Sequence, residues 1–305
     1  MALAVALASG AVAAEAPKIG VLLKDKSPGF WTFVEQGAIE TGAALNAELT
    51  IKAPPTVLDV GAQPRLLAAL AAGAPDALVI GPTNPEAVNA AVAELAAKGV
   101  KIVAVDTPLA DGIARVFVGA DQAAMGEAAA QVFVGLVNEG DEVAMLRNNS
   151  LDRTVLVREQ KLREAMQGRP GVVLHAEIFA SSEKDSEEDQ ALLLLTKHPT
   201  VKVIFASATR GTMASIKAVR AKGLVGKVKV VGFGTYLPPE AAQAFEDDIL
   251  YGWIAQQPKD LGVKAVQSAV ALVKGDAVPS VVRPEFKLVT RENFRAADVQ
   301  ALRQP

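Results

Sequence analysis

DALVIGPTNPEAVNAAVAELAAKGVKIVAVD, residues 76–106, decides the fold. Two short apolar runs, DALVIG (76–81) and KIVAVD (101–106), flank a segment whose Val88, Val92 and Leu95 fall on one helical face. Thr83-Asn84-Pro85-Glu86 matches a capping box at the start of that helix, and Lys98-Gly99 is a stop at its end. The runs are continuous rather than alternating, the pattern of strands covered on both faces. Strand, helix and strand within about 30 residues is the unit from which parallel sheets are built.

The same rhythm extends in both directions. KIGVLLK (18–24) and ELTIKA (48–53) precede the unit, and RVFVGA (115–120), EVAMLR (142–147), VVLHAEIF (172–179) and VKVIFAS (201–207) follow it. VKVVGFG (228–234), ILYGWIAQ (249–256) and PEFKLV (284–289) complete the series. Eleven strands are too many for one ordinary open sheet, so an α/β fold with two sheets of five or six strands is expected. No helix separates 101–106 from 115–120, a break in the rhythm that a passage from one lobe to the other would explain. Gly/Ser linkers are absent, so the lobes must be joined by short crossings.

Of 305 residues, 31 are Lys or Arg and 34 are Asp or Glu, and none of the basic residues form a run that would track phosphates. A nucleic-acid partner is therefore not expected. The chain has no cysteine and only two histidines, His175 and His198, which removes thiol chemistry and argues against a transition-metal site. No G-x-G-x-x-G follows the first strand, and there is no Walker A or G-x-S-x-G motif. The acidic group Glu183, Asp185, Glu187, Glu188 and Asp189 reads as a solvated helix start. An enzyme is not expected, and neither is a cofactor. Residues 1–14, MALAVALASGAVAA, are apolar, too short to span a bilayer, and end in the small residues of a cleavage site, so they read as a secretory signal without its usual basic start.

Ligands of open parallel sheets bind outside the carboxyl ends of the strands. The residues at those ends are Lys24 with Phe30-Trp31, then Asp106, Asn148-Asn149-Ser150 with Arg158 beyond them, Gly234-Thr235-Tyr236, and Gln256-Gln257. Aromatic plates with acids, amides and an Arg suit a polyol, whose C–H faces stack while its hydroxyls need fixed donors and acceptors. Each residue also has a plainer role. Phe30-Trp31 would anchor a helix, Asp106 would serve a turn, Arg158 would lie on a solvated helix face, and Gln256 would cap the next helix.

The span from Ile19 to about Thr290 resembles the periplasmic sugar-binding proteins of ABC transporters, in the ribose-binding-like branch. IGVLLKDKSPGFW with EQGA, DALVIGPTNPEAV, IVAVDTPL, VGADQAAMGEAAA, KVKVVGFGTYLPPE and ILYGWIAQQPKDLGVKA carry the likeness in order along the chain. The resemblance implies a type I periplasmic binding protein fold: two Rossmann-like lobes joined by a three-crossing hinge. It places one lobe at 17–120 plus 257–284 and the other at 121–256 plus 285–305. It implies a monomer in the periplasm that delivers a sugar or polyol to an ABC transporter permease. A sensor that presents its ligand to a membrane kinase is the alternative. A transcription regulator with the same body would carry a helix-turn-helix ahead of the first strand, which begins near residue 18.

By the same resemblance, Phe30 and Trp31 sandwich a sugar ring, Asp106 accepts from two hydroxyls, Arg158 donates a fork of bonds, and Gln256 sits at the hinge. Three positions depart from the family pattern. Ala208 replaces an Asn, Gly234 replaces the Asp of a GFD motif, and Ser181-Ser182 replace an aromatic. Arg210 and Tyr236 are then expected to compensate, favouring a larger, modified or acidic sugar over ribose.

Overall fold

The computed structural model describes residues 15–26, 29–57, 59, 61–147, 152–178 and 186–303. The expected signal segment, Asn148-Asn149-Ser150, Ser181-Ser182, Glu183 and Asp185 lie outside these residues. The first sheet contains β1 (Lys18–Leu22), β2 (Glu48–Lys52), β3 (Ala77–Ile80), β4 (Lys101–Val105), β5 (Val116–Val118) and the two-residue β11 (Val281–Val282). Its order is β11-β5-β4-β3-β1-β2, and all its pairings are parallel. The second contains β6 (Glu142–Arg147), β7 (Val173–Ile178), β8 (Val203–Ala206), β9 (Lys229–Thr235), β10 (Leu250–Gln256) and β12 (Phe286–Thr290), in the order β12-β10-β9-β8-β6-β7. Among the described residues, the one antiparallel pairing is that of the edge strand β12 on β10.

The apolar runs are continuous because both faces of each sheet are covered. Along β1, Ile19 and Val21 point into one cluster with Val79 and Val103, while Leu22 joins Leu78, Ile80 and Ile102 on the opposite face. The second sheet likewise divides Val143, Met145 and Phe205 from Ala144, Leu146 and Ile204. Helix α1 (Phe30–Ala44) packs on α9 (Pro258–Lys274) with almost no gap. A Cβ on Gly37 would overlap the Lys259 carbonyl, and one on Gly262 would overlap that of Val34. Glycine at both positions is what lets the two backbones touch.

The helix-free connection between β4 and β5 is not a crossing. Both strands lie in the first sheet, paired in parallel from Val103–Val116 to Val105–Val118. The chain leaves this sheet after β5, through α4 (Gln122–Val134), which packs on β9 and β10. It returns at Gln257 into α9 and leaves again between β11 and β12.

Helix α3 (Pro85–Ala97) buries Val88, Val92 and Leu95 as their spacing predicts. Its cap is Asn84, whose side chain accepts from the Glu86 amide at 3.1 Å, and not Thr83. Asn84→Ala is expected to cost about 1 kcal/mol. The urea midpoint should fall with the slope unchanged, and an unmoved midpoint would show that this cap contributes nothing.

Candidate functional site

Strand carboxyl ends and helix starts bring charged groups from both sheets into one cluster, buried at Lys24, Asp106 and Arg158 and partly exposed at Asp152. Lys24 follows β1 and donates to Asp106 Oδ2 at 2.7 Å, with Asp152 Oδ1 at 3.8 Å on its other side. Asp106 follows β4 in left-handed backbone, φ 63°, pinned by its amide to the Val118 carbonyl at 2.9 Å. Asp152 caps α5 (Arg153–Met166), accepting from the Thr154 amide at 3.1 Å and its hydroxyl at 2.6 Å. Because Lys24 belongs to the segment of the first sheet and Asp152 to that of the second, this ion pair spans the two. Glu86 and Arg153 form a second, exposed pair between the same segments.

The titration behaviour follows from this arrangement. Burial works against the Lys24 ammonium, but Asp106 and Asp152 outweigh it and raise its pKa. Burial likewise opposes the Asp152 carboxylate, and Lys24 together with the Thr154 bonds brings its pKa below the ordinary value. Both groups are therefore charged at neutral pH.

Arg158 lies on α5 as expected, but it is 5% exposed rather than solvated. Its Nε donates to Gln122 Oε1 at 2.8 Å, Nη1 to the Ser207 carbonyl at 3.1 Å and Nη2 to Gln256 Oε1 at 3.3 Å. The guanidinium also stacks over the Phe233 ring at 4.3 Å. Desolvation lowers its pKa to about 10, partly offset by Asp152 and Asp106, so it too stays charged. A guanidinium has five N–H donors, and these bonds use one on each nitrogen, leaving others for a ligand. Beneath it, Glu159 accepts from Ser207 Oγ at 2.9 Å and pairs with Arg147 at 2.8 Å, fixing the Ser207 backbone.

The aromatic residues are arranged differently from the expectation. Phe30 and Trp31 touch edge to face with centroids 5.5 Å apart, so no sugar ring fits between them. Trp31 is buried against Gly81, with Lys24 Nζ 5.7 Å from the centre of its ring, while Phe30 is half-buried. Arg210, in the first turn of α7 (Thr209–Ala221), is exposed and paired with Glu187 at 2.9 Å. Tyr236 is buried, and its ring meets Phe33 at 5.1 Å. The structure thus joins Lys24, Asp106, Arg158 and Gln256 in one polar group, with Trp31 beside it. Neither Arg210 nor Tyr236 is hydrogen-bonded into that group through its side chain.

Sequence reasoning missed Asp152, Gln122, Thr83 and Thr107, while Thr235 stands among its strand-end residues. Among the described residues, Thr83 Oγ1, Thr107 Oγ1, Gln122 Nε2 and Thr235 Oγ1 are buried without a hydrogen-bond partner. All four residues stand at a strand's carboxyl end or at the start of α4, beside the charged cluster in the topology. Buried polar groups are normally satisfied, so these four atoms, at one end of two sheets, are open to water or to a polar guest. Asp152 had a sequence signal, an acid at a helix start just beyond β6. No group of His, Asp and Glu among the described residues is arranged to hold a metal ion.

The model of the periplasmic binding protein domain matches residues 19–277. The chain belongs to the periplasmic binding protein family. That is a family of solute-binding proteins and not of enzymes. The D-allose-binding periplasmic protein of Escherichia coli is 28% identical over 283 residues, 90% of each chain. The ribose import binding protein RbsB of the same organism is 27% identical over 220 residues, 70% of this chain and 71% of the relative. A carbohydrate transporter solute binding protein from Agrobacterium radiobacter, solved with D-arabinose, superposes with a TM-score of 0.85 at 24% identity, covering 95% of this chain and 99% of that one. The family fold accounts for the two mostly parallel sheets, and the polar cluster lies at their carboxyl ends.

Proposed function

We propose that this periplasmic binding protein captures a neutral monosaccharide or related polyol between two lobes and delivers it to an ABC transporter permease. One observation carries the reading: a buried polar cluster drawn from both sheets balances two cations, Lys24 and Arg158, with two carboxylates, Asp106 and Asp152. A site already neutral in sum favours an uncharged guest, because a ligand carboxylate would bring in unpaired buried charge. Arg210 is held by Glu187 at the surface, which argues against the acidic sugar that its position suggested. Lys24, Asp106, Arg158 and Gln256 would bind hydroxyls directly, with Asp152, Gln122, Thr83, Thr107 and Thr235 offering further partners. Phe30 and Trp31 would supply a stacking wall on one side of the ring. The names of the relatives, allose- and ribose-binding, agree with a guest of this class.

The lobes, 17–120 plus 257–284 and 121–256 plus 285–305, would close as two bodies about the three crossings. A ligand bonded to both stabilises the closed form over the open one, and the permease would read that form. The protein would work in the periplasm, exported by residues 1–14. Calorimetry with D-allose, D-ribose, D-arabinose, glycerol and D-gluconate tests the proposal. Saturable binding of at least one neutral compound, with none of gluconate, is the expected result. Gluconate binding more tightly than every neutral compound would overturn it.

A further inference from the structure

Tyr236 is carried by the second sheet but spends its side chain on elements that cover the first. Its ring meets Phe33 of α1 edge to face, at 5.1 Å and 79°. Its phenol lies near the backbone of Lys259 in the first turn of α9, and burial raises its pKa. Helices α1 and α9 are locked together by the glycine contacts at Gly37 and Gly262, so Tyr236 touches one rigid pair.

The other end of the residue is anchored just as firmly. The Tyr236 amide donates to the Gln256 carbonyl at 2.8 Å, and the Trp253 indole donates to the Tyr236 carbonyl at 2.6 Å. Those bonds hold the residue at φ 54°, a left-handed conformation that side-chain-bearing residues rarely adopt. Gln256 is the last residue of β10, immediately before the passage into α9. The strained residue therefore sits beside the hinge, with its backbone in one lobe and its ring in the other.

We propose that Tyr236 is an interlobe clasp, a positioning residue whose ring on Phe33 sets the angle at which the lobes rest when no ligand is bound. An interlobe contact that favours closure raises the population of the binding-competent form, and apparent affinity scales with that population. The clasp tightens ligand binding without touching ligand. It is independent of which solute is bound, because its effect is read in the ligand-free protein.

The absence of cysteine makes the test direct. Glu94→Cys on α3 and Arg163→Cys on α5, both exposed, place one spin label on each lobe. Double electron–electron resonance on the ligand-free protein then reports the interlobe distance. Tyr236→Gly removes the ring and suits the left-handed backbone better than tyrosine does. Phe33→Ala removes the ring's partner from the other lobe. Both are expected to shift the distribution to longer distances and to broaden it. A wild-type distribution in either variant, with its circular dichroism intact, overturns the clasp.

Discussion

Arg158→Ala is expected to weaken sugar binding by about 100-fold or more and to lower stability at the same time. The side chain is buried, and its loss strips a donor from Gln122 Oε1, Gln256 Oε1 and the Ser207 carbonyl together. An acceptor left buried without its donor suffers the full desolvation penalty, about 1–3 kcal/mol each. The charge balance fails as well, since Asp106 and Asp152 would then face Lys24 alone. Arg158→Lys keeps the charge but loses the planar fork and the stacking on Phe233, so it should recover little of the affinity. Calorimetry with the tightest sugar of the screen, beside a urea titration, checks both effects. Binding within about threefold of wild type would remove Arg158 from the ligand site, since a lost charged hydrogen bond alone exceeds that.

The fold was largely legible in the residues, and for a definite reason. Strands buried on both faces need unbroken Val, Ile and Leu, and helices between them need an apolar stripe, so KIVAVD and the Val88–Val92–Leu95 stripe read unambiguously. β11 escaped because two residues carry no period, and its pairing with β5 is decided by chain reversal after α9. The rule that ligands bind at strand ends picks out Lys24, Asp106 and Gln256, which the structure brings into one polar cluster. What could not be read is which neighbour each side chain chooses. Arg158 looks like any helix-surface arginine until Gln122, Ser207 and Phe233, from three other elements, close around it. Arg210 shows the converse: its place after β8 suggests ligand contact, but Glu187, at the start of the preceding helix α6 (Glu187–Lys197), claims it. Tyr236 too stands at a strand end where a ligand contact is expected, though its partner Phe33 lies about 200 residues away in the chain.

Gly234→Asp, which restores the acid that the family resemblance leads one to expect, should destabilise the protein by about 3 kcal/mol or more. A Cβ built at Gly234 falls on the six-membered ring of Trp253, well inside the 3.0 Å below which real Cβ atoms are not found. Trp253 cannot yield easily. It is fully buried, packed in the core of the second lobe, and tied by its indole N–H to the Tyr236 carbonyl. The glycine is thus the counterpart of the indole: this chain fills with an aromatic ring the space at β9 where a side chain would start. A double-mutant cycle isolates the clash, because Gly234→Asp should cost much less in a Trp253→Ala background than in the wild type. Equal costs in the two backgrounds would show that the glycine answers to something other than Trp253. If the coupling is found, the missing acid cannot be regained by one substitution. In the proposed site, discrimination among sugars would then rest on the Lys24, Asp106, Asp152 and Arg158 group rather than on a carboxylate at position 234.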